Sequence, residues 1–421
     1  MKYTYRIYID FNLKQISENF MSSKVYFGST QAGKDHPFAS FAAKVDKVVD
    51  LLDLSTIEKN DKVAIKMHLG FRDGYQTIPV FFIRRIVNKI KEAGGWPFIT
   101  DNPTSVYNAA DRGYTSETCG CPIIPISGVK DGYVTKKEVN YRNVPEIFMA
   151  GVLEDADVLF DIAHIKGHNS CGFGGQIKNL GLGGFAAKSR WEKIHGVHQS
   201  IPYWDADICT PEHAKKLVES CPYKALKYNE EKHLLHLSFD SCYNTNCGEC
   251  LKVDEDVKCL DFRQEHFSAF SELQAIAAKQ VIDTFDINKR FFISFAIEIT
   301  SFCDCFGIAQ PVIVNDIGVL TSRDMVAIET SALDLIAKEG LLEKNIPPYI
   351  NHKNLDPTEN LHPFQRIHGA MKNPYMAVNF MAEMTKGTYS KDYELIEVLS
   401  PKETSKSEIP KSLTEKAPSF F

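Results

Sequence analysis

Lys62-Val-Ala-Ile-Lys66, the run Pro79 to Ala93, the pair Gly94-Gly95 and then Trp96-Pro-Phe-Ile-Thr100 form the stretch that decides the fold. The two short apolar pieces read as strands. The run between them carries apolar residues at helical spacing and ends in a glycine pair suited to a left-handed cap. A strand, a helix and a strand in so short a span imply parallel pairing through a right-handed crossover.

The same alternation extends in both directions. Lys24-Val-Tyr-Phe27 predicts a strand and Phe38 to Leu52 a helix, and Val158-Leu-Phe-Asp-Ile162 predicts a later strand. Beyond a cysteine-rich interval, Ser271 to Phe285 predicts a helix, Phe291 to Ile299 and Val312 to Asn315 strands, and Met325 to Ala337 a helix. The expected class is α/β, a mostly parallel sheet with flanking helices, interrupted by a small α+β insertion. The expected divisions are an N-terminal extension over 1–22, an α/β part over 23–204, a cysteine module over 205–261, a second α/β part over 262–400 and a disordered tail over 401–421. The tail is rich in Lys, Ser, Glu and Pro, a composition too polar to build a core.

The chain has 421 residues, 44% of them hydrophobic, enough for a sizeable core. Its 48 basic and 54 acidic residues leave a net charge of -6 without a basic block, which argues against nucleic acid and anionic membrane surfaces. Met1 to Phe20 lacks the apolar core of a signal peptide, and no stretch approaches a membrane span. The eleven cysteines are an odd number at ligand-like spacings. That pattern suits a reducing cytoplasm and metal binding better than disulfides.

Cys242, Cys247 and Cys250 form a C-x4-C-x2-C run after an isolated Cys221-Pro222. Together they resemble half of a bacterial ferredoxin, in which three cysteines of one motif and the Cys-Pro of the other hold one cluster. Cys221-Pro-Tyr-Lys-Ala-Leu226 resembles the turn around that Cys-Pro, and the stretch to Phe239-Asp240 supplies a returning hairpin. The position of a further cysteine, after Cys250, is Asp254, and only Cys209 precedes Cys221 at a plausible distance. The expectation is therefore one 4Fe-4S cluster on Cys221, Cys242, Cys247 and Cys250. A structural zinc site and an empty remnant are the alternatives.

Val63-Ala-Ile-Lys-Met-His-Leu-Gly70, Pro97-Phe-Ile-Thr-Asp101, His164-Ile-Lys-Gly-His168, the glycine-rich Gly172 to Gly183, and Cys303-Asp-Cys305 with Asp316-Ile-Gly-Val319 are further landmarks. With them the chain resembles the domain-of-unknown-function 362 family, often described as iron-sulfur cluster-binding proteins, from Met21 to about Leu399. The resemblance implies a ferredoxin module at 205–261 but brings no established reaction.

The candidate site residues sit where strands end, the place where open α/β sheets leave room for ligands. His68 follows one strand, and His164, Lys166 and His168 follow another. Lys178 lies in the glycine-rich segment, and His195 can close the same cleft. Gly172, Gly174, Gly175 and Asn179 offer backbone amides and a side-chain amide to an anionic small molecule, although the segment fits neither the Walker nor the dinucleotide pattern. The competing reading of these glycines is a tight loop, and of Cys171 a buried thiol. Cys303 and Cys305, two apart on a loop, are candidates for a second metal site, with partners drawn from Cys119, Cys121, Cys171, Cys259 or a histidine; the other possibility is a thiol pair without metal.

Three functions follow as expectations. The first is electron transfer or oxidoreductase chemistry with an unidentified redox partner. The second is a metal-dependent, non-redox enzyme acting on an anionic small molecule. The third is a cluster carrier or assembly factor.

Overall fold

The computed structural model describes residues 22–33, 39–243, 247–348, 350 and 360–404. Most of the expected N-terminal extension, the first residue of the expected helix at Phe38, and 405–421 of the expected tail lie outside them.

The decisive stretch folds as its pattern requires. Lys62–Met67 and Trp96–Asp101 pair in parallel, joined by the helix Val80–Glu92. Ile83, Ile86, Val87 and Ile90 form the buried stripe of that helix. Burying four such side chains contributes roughly 6–12 kcal/mol before chain entropy is counted. The helix stops because Gly94 takes a φ of +102°, a conformation that costs a β-carbon-free residue nothing.

Eight strands form one sheet in the order Tyr393–Glu397, Ser23–Ser29, Gly318–Ser322, Arg290–Ala296, Val158–His164, Lys62–Met67, Trp96–Asp101 and Ile123–Pro125. All neighbours pair in parallel except Gly318–Ser322, which is antiparallel to both strands beside it. The fold is thus α/β with a mostly parallel sheet. Period-two alternation divides the core between its faces. Val158, Phe160 and Ile162 pack with the Val80–Glu92 helix, whereas Leu159 and Ala163 pack with Gln176–Gly181 and Gln264–Ile282. Lys66 and Asp161, paired in register, share the second face. The chain leaves Lys62–Met67 toward one edge and returns to Val158–His164 on its other side, so the topological switch point lies between these strands, at His68 and His164.

Two strand expectations need correction. The strand beginning at Arg290 ends at Ala296 rather than Ile299, because the Ile297 carbonyl turns to His164 and Glu298 takes a positive φ. Val312 to Asn315 makes a single bridge, Thr300 to Val312, because its surroundings form a loop over the site rather than a ladder. The late edge strand Tyr393–Glu397 and the hairpin Val134–Tyr141/Val144–Ala150 gave no signal in the sequence reading.

Within the cysteine-rich interval, the helix Pro211–Ser220 precedes an antiparallel hairpin, Leu226–Asn229 with Leu234–Leu237, and a short helix, Glu249–Val253. Leu217, Leu226, Leu235, Leu237 and Phe239 give it an apolar cluster of its own, reached from the main body by Phe267. Among the described residues no helix is long and apolar enough to cross a membrane.

Candidate functional site

A cavity of about 510 Å³ opens at the carboxyl ends of the central strands. His68, His164, His168, Lys178, His195, Gly174, Gly175 and Asn179 line it, together with Cys303 and Cys305. Lys166 stands behind the wall, and Gly172 lies outside it, against the backbone of Lys372.

Two buried carboxylates organise the wall. Asp101, at the end of its strand, accepts from Lys66 Nζ at 3.1 Å, His68 Nδ1 at 2.8 Å and the Leu69 amide at 3.0 Å. Burial pushes this carboxyl up, but Lys66 and His68 outweigh it and hold it well below the usual carboxylate range. His68, 22% exposed, therefore carries its proton on Nδ1 when neutral and turns Nε2 to the cavity. Asp304 accepts from His164 Nδ1 at 2.9 Å and pairs with Lys166 Nζ at 3.2 Å. It too is held low, since Lys166 and His164 outweigh burial. His164 also sends Nε2 to the Ile297 carbonyl at 2.8 Å, and Lys166 donates to the Gln76 carbonyl at 3.0 Å. Both groups thus tie Asp304 to the neighbouring backbone at Ile297 and Gln76.

Three carboxylates of the cavity have basic partners: Asp101 faces Lys66 and His68, Asp304 faces Lys166 and His164, and Asp240 lies 3.6 Å from His195 Nδ1. Lys178 and Arg190 have no carboxylate partner among the described residues. Among the described residues the buried Arg190 Nε has no hydrogen-bond partner, and Lys178 Nζ meets the sulfurs of Cys303 and Cys305, at 3.6 and 3.9 Å. Burial pulls both cations below their ordinary values. Two desolvated cations thus stand on the cavity wall without an ion-pair partner among the described residues.

The glycine segment works differently from the expectation. The first amides of the helix Gln176–Gly181 donate to the buried Glu329 carboxylate, so they are occupied and do not cradle a ligand. A β-carbon at Gly175 would strike the same carboxylate, and one at Gly172 would lie 2.3 Å from the Lys372 carbonyl oxygen. These glycines are there for close packing. The Lys178 and Asn179 side chains reach the cavity from this helix.

Cys303 and Cys305 are joined as a disulfide, and with His168 their ligand atoms lie within 4.8 Å of one another. Disulfide sulfurs are not thiolate ligands, so a metal here requires the reduced pair. His168 Nδ1 accepts from the Ser170 amide, and burial, with Lys178 and His195, keeps the ring well below its ordinary value, so its single proton sits on Nε2. Cys119 and Cys121 are buried in the opposite face of the sheet and do not join this group. Cys171 is buried, and burial pushes its thiol up to about 11, which suits the structural reading over the nucleophilic one.

The module's four expected ligands converge. Cys221, Cys242, Cys247 and Cys250 line one small apolar pocket with Tyr223, Leu226, Leu251 and Phe262. Cys221 Sγ accepts from the Ala225 amide at 3.2 Å, and burial plus the other three sulfurs push the Cys250 thiol up to about 12. Asp240 lines the large cavity and Cys242 the small one, so at most about 7 Å of chain separates the two walls.

Residues 63–334 match the family model described as domain of unknown function (DUF362). The chain belongs to this family. Every cavity-lining residue lies within the DUF362 match, as do all four module cysteines. No curated protein matches the chain. Among solved structures it is similar to the lactate racemase apoprotein from Thermoanaerobacterium thermosaccharolyticum, at 12% identity and a TM-score of 0.29 over 68% of this chain and 53% of that one. The chain spans about half the length of that protein.

Asp101, Asp304, Asp240, Arg190 and Trp191 belong to the site without having been singled out from the sequence. Asp101 and Asp304 fell inside quoted motifs, where an acid at a strand end beside histidines was the available signal. Arg190 and Trp191 sit on an irregular helical turn, Ser189–Ile194, and had none.

Proposed function

We propose that this protein is an iron-sulfur redox protein whose cleft takes an anionic small molecule. The observation that carries the reading is the convergence of four thiols in one apolar pocket, two residues along the chain from the wall of the cation-rich cavity. The donor set fits a 4Fe-4S cluster: four cysteine sulfurs, an apolar lining, and an amide donated to one sulfur. Thiolates sharing a single zinc ion lie about 3.8 Å apart. No three of these four sulfurs lie within 4.8 Å of one another, which favours the wider cluster over zinc.

A bound cluster supplies one-electron chemistry. The chain's own residues do the rest. Lys178 and Arg190 bind and orient the anion. Asp101 fixes the His68 tautomer so that Nε2 can take or give a proton at the ligand, as general acid-base chemistry requires. Asp304, through His164 and Lys166, holds the Cys303–Cys305 loop against the cavity.

A second reading, acid-base catalysis on an anion without electron transfer, is favoured by the His68–Asp101 dyad. Anaerobic purification separates the two. The redox reading expects iron and acid-labile sulfide in equal amounts, visible absorption that bleaches with dithionite, and loss of iron on Ser substitution at Cys221, Cys242, Cys247 or Cys250. Zinc without sulfide in that pocket, released by Cys242→Ser, would sink it.

A further inference from the structure

At the far end of the module lies a second set of metal-ligand side chains. His213 Nε2 lies 2.8 Å from Asp254 Oδ1, and Cys259 Sγ lies 3.1 Å from the same oxygen. All three ligand atoms fall within 4.8 Å of one another; Cys209, whose thiol donates to the Thr210 carbonyl at 3.8 Å, neighbours Cys259 but stands outside that group and would have to turn inward to join it. Cys209, Asp254 and Cys259 are almost completely buried, and the His213 side chain is 12% exposed.

We propose that Cys209, His213, Asp254 and Cys259 form a closed, structural zinc site separate from the four-thiolate pocket. Two thiolates, an imidazole and a carboxylate complete a tetrahedron of the donor types that zinc takes, and their burial leaves no open position for a substrate. The elements explain how the set is assembled. Thr210 caps the helix Pro211–Ser220, which sets Cys209 just before it and His213 on its first turn. Asp254 ends the helix Glu249–Val253, and Cys259 follows after a short loop that returns to bridge Trp204 with Leu260. The Leu260 amide donates to Asp254 Oδ2 at 2.7 Å, which orients the carboxylate and leaves Oδ1 for the ion.

Oxygen, nitrogen and sulfur ligands of one zinc ion stand about 3.3–3.8 Å apart. The contacts of 2.8 and 3.1 Å here are shorter, so holding the ion needs an outward shift of roughly half an ångström. The two sites cannot merge. Cys221 follows the last turn of the helix whose first turn carries His213, eight residues earlier, and eight helical residues span about 12 Å. The ion would tie the start of that helix to the segment after the cluster cysteines, closing the module where its hydrophobic cluster is small.

The test uses full-length protein, purified anaerobically and dialysed against a weak chelator, with zinc and iron counted on the same sample. The proposal expects about one zinc per chain. Cys209→Ser with Cys259→Ser should lose it while iron stays unchanged, and Cys242→Ser should lose iron while zinc stays. Cobalt(II) added to zinc-stripped protein provides a readout independent of how well the variants fold: the wild type should show tetrahedral ligand-field bands with thiolate charge-transfer absorption. Asp254→Asn, a near-isosteric change, should shift those bands. Background zinc in the wild type, octahedral cobalt spectra, or zinc that follows Cys242 rather than Cys209 and Cys259 overturns the assignment.

Discussion

Glu329→Gln gives a direct measure of the strain held beneath the cleft. Glu329 is buried, Oε1 accepts from the amides of Gln176 and Ile177, and Oε2 has no partner among the described residues. Burial pushes its carboxyl from 4.5 up to about 8, against the pull of the two amides. Below about pH 4.5 the group is neutral in the folded and unfolded chain, and nothing is lost. As pH rises toward 8, the unfolded chain releases its proton while the fold keeps it, so native stability falls by about 1.4 kcal/mol per pH unit. From about pH 5 to about pH 8 the fall integrates to about 3 kcal/mol. Glutamine keeps an acceptor for both amides and cannot ionise, so the variant should escape that fall. The expected result is a stability difference that moves by about 3 kcal/mol in favour of the variant across this window. Hydrogen exchange of the Gln176–Gly181 and Met325–Glu339 helices, followed against pH, reads it locally. Curves for wild type and variant that run parallel would refute the reasoning, since a carboxyl with an ordinary titration imposes no such slope.

Three further outcomes follow from the cavity. Nitrogen-15 spectra should find His68 protonated at Nδ1, and Asp101→Asn should abolish that preference, because the neutral amide no longer selects the tautomer. Sulfate, used as an anionic probe, should stabilise the protein against heat; Arg190→Met or Lys178→Met should weaken its binding by roughly tenfold or more, the loss of one charge-assisted hydrogen bond of about 1.5–3 kcal/mol. Alkylation should label Cys303 and Cys305 only after reduction, and replacing both by Ser should leave cluster iron unchanged; release of metal by that double variant would restore the metal-site reading of the pair.

The sheet was legible because its signals are local. Val63, Ile65 and Met67 alternate with Ala64 and Lys66, the Val80–Glu92 helix repeats its aliphatics at 3.6, and Gly94 marks the stop. What escaped was the set of elements whose apolar content is supplied by a neighbour. Tyr393–Glu397 is an edge strand with exposed residues, held by its ladder to Ser23–Ser29, and its sequence alone gives no reason to pair. The end of the strand at Ala296 was missed for the converse reason. Ile297 and Ile299 look like strand residues, yet a histidine from the adjacent strand captures the carbonyl that would have extended the ladder.

The site divides along the same line. Histidines and lysines after strand ends could be nominated because the α/β fold puts every such position around one crevice. Which of them are free is decided by partners far away in sequence: Asp304 binds His164 Nδ1 across 140 residues while the Ile297 carbonyl takes Nε2, whereas Asp101 binds His68 through Nδ1 alone. The glycine segment makes the point most sharply. Its amides read as an anion cradle, but an acid 153 residues later had already filled the cradle from behind. The proposed anion-binding role thus rests on Lys178 and Arg190, the two cavity cations without an ion-pair partner among the described residues. One of them, Arg190, belongs to no motif, and its burial in the cavity wall with an Nε unpartnered among the described residues distinguishes it from an ordinary surface arginine.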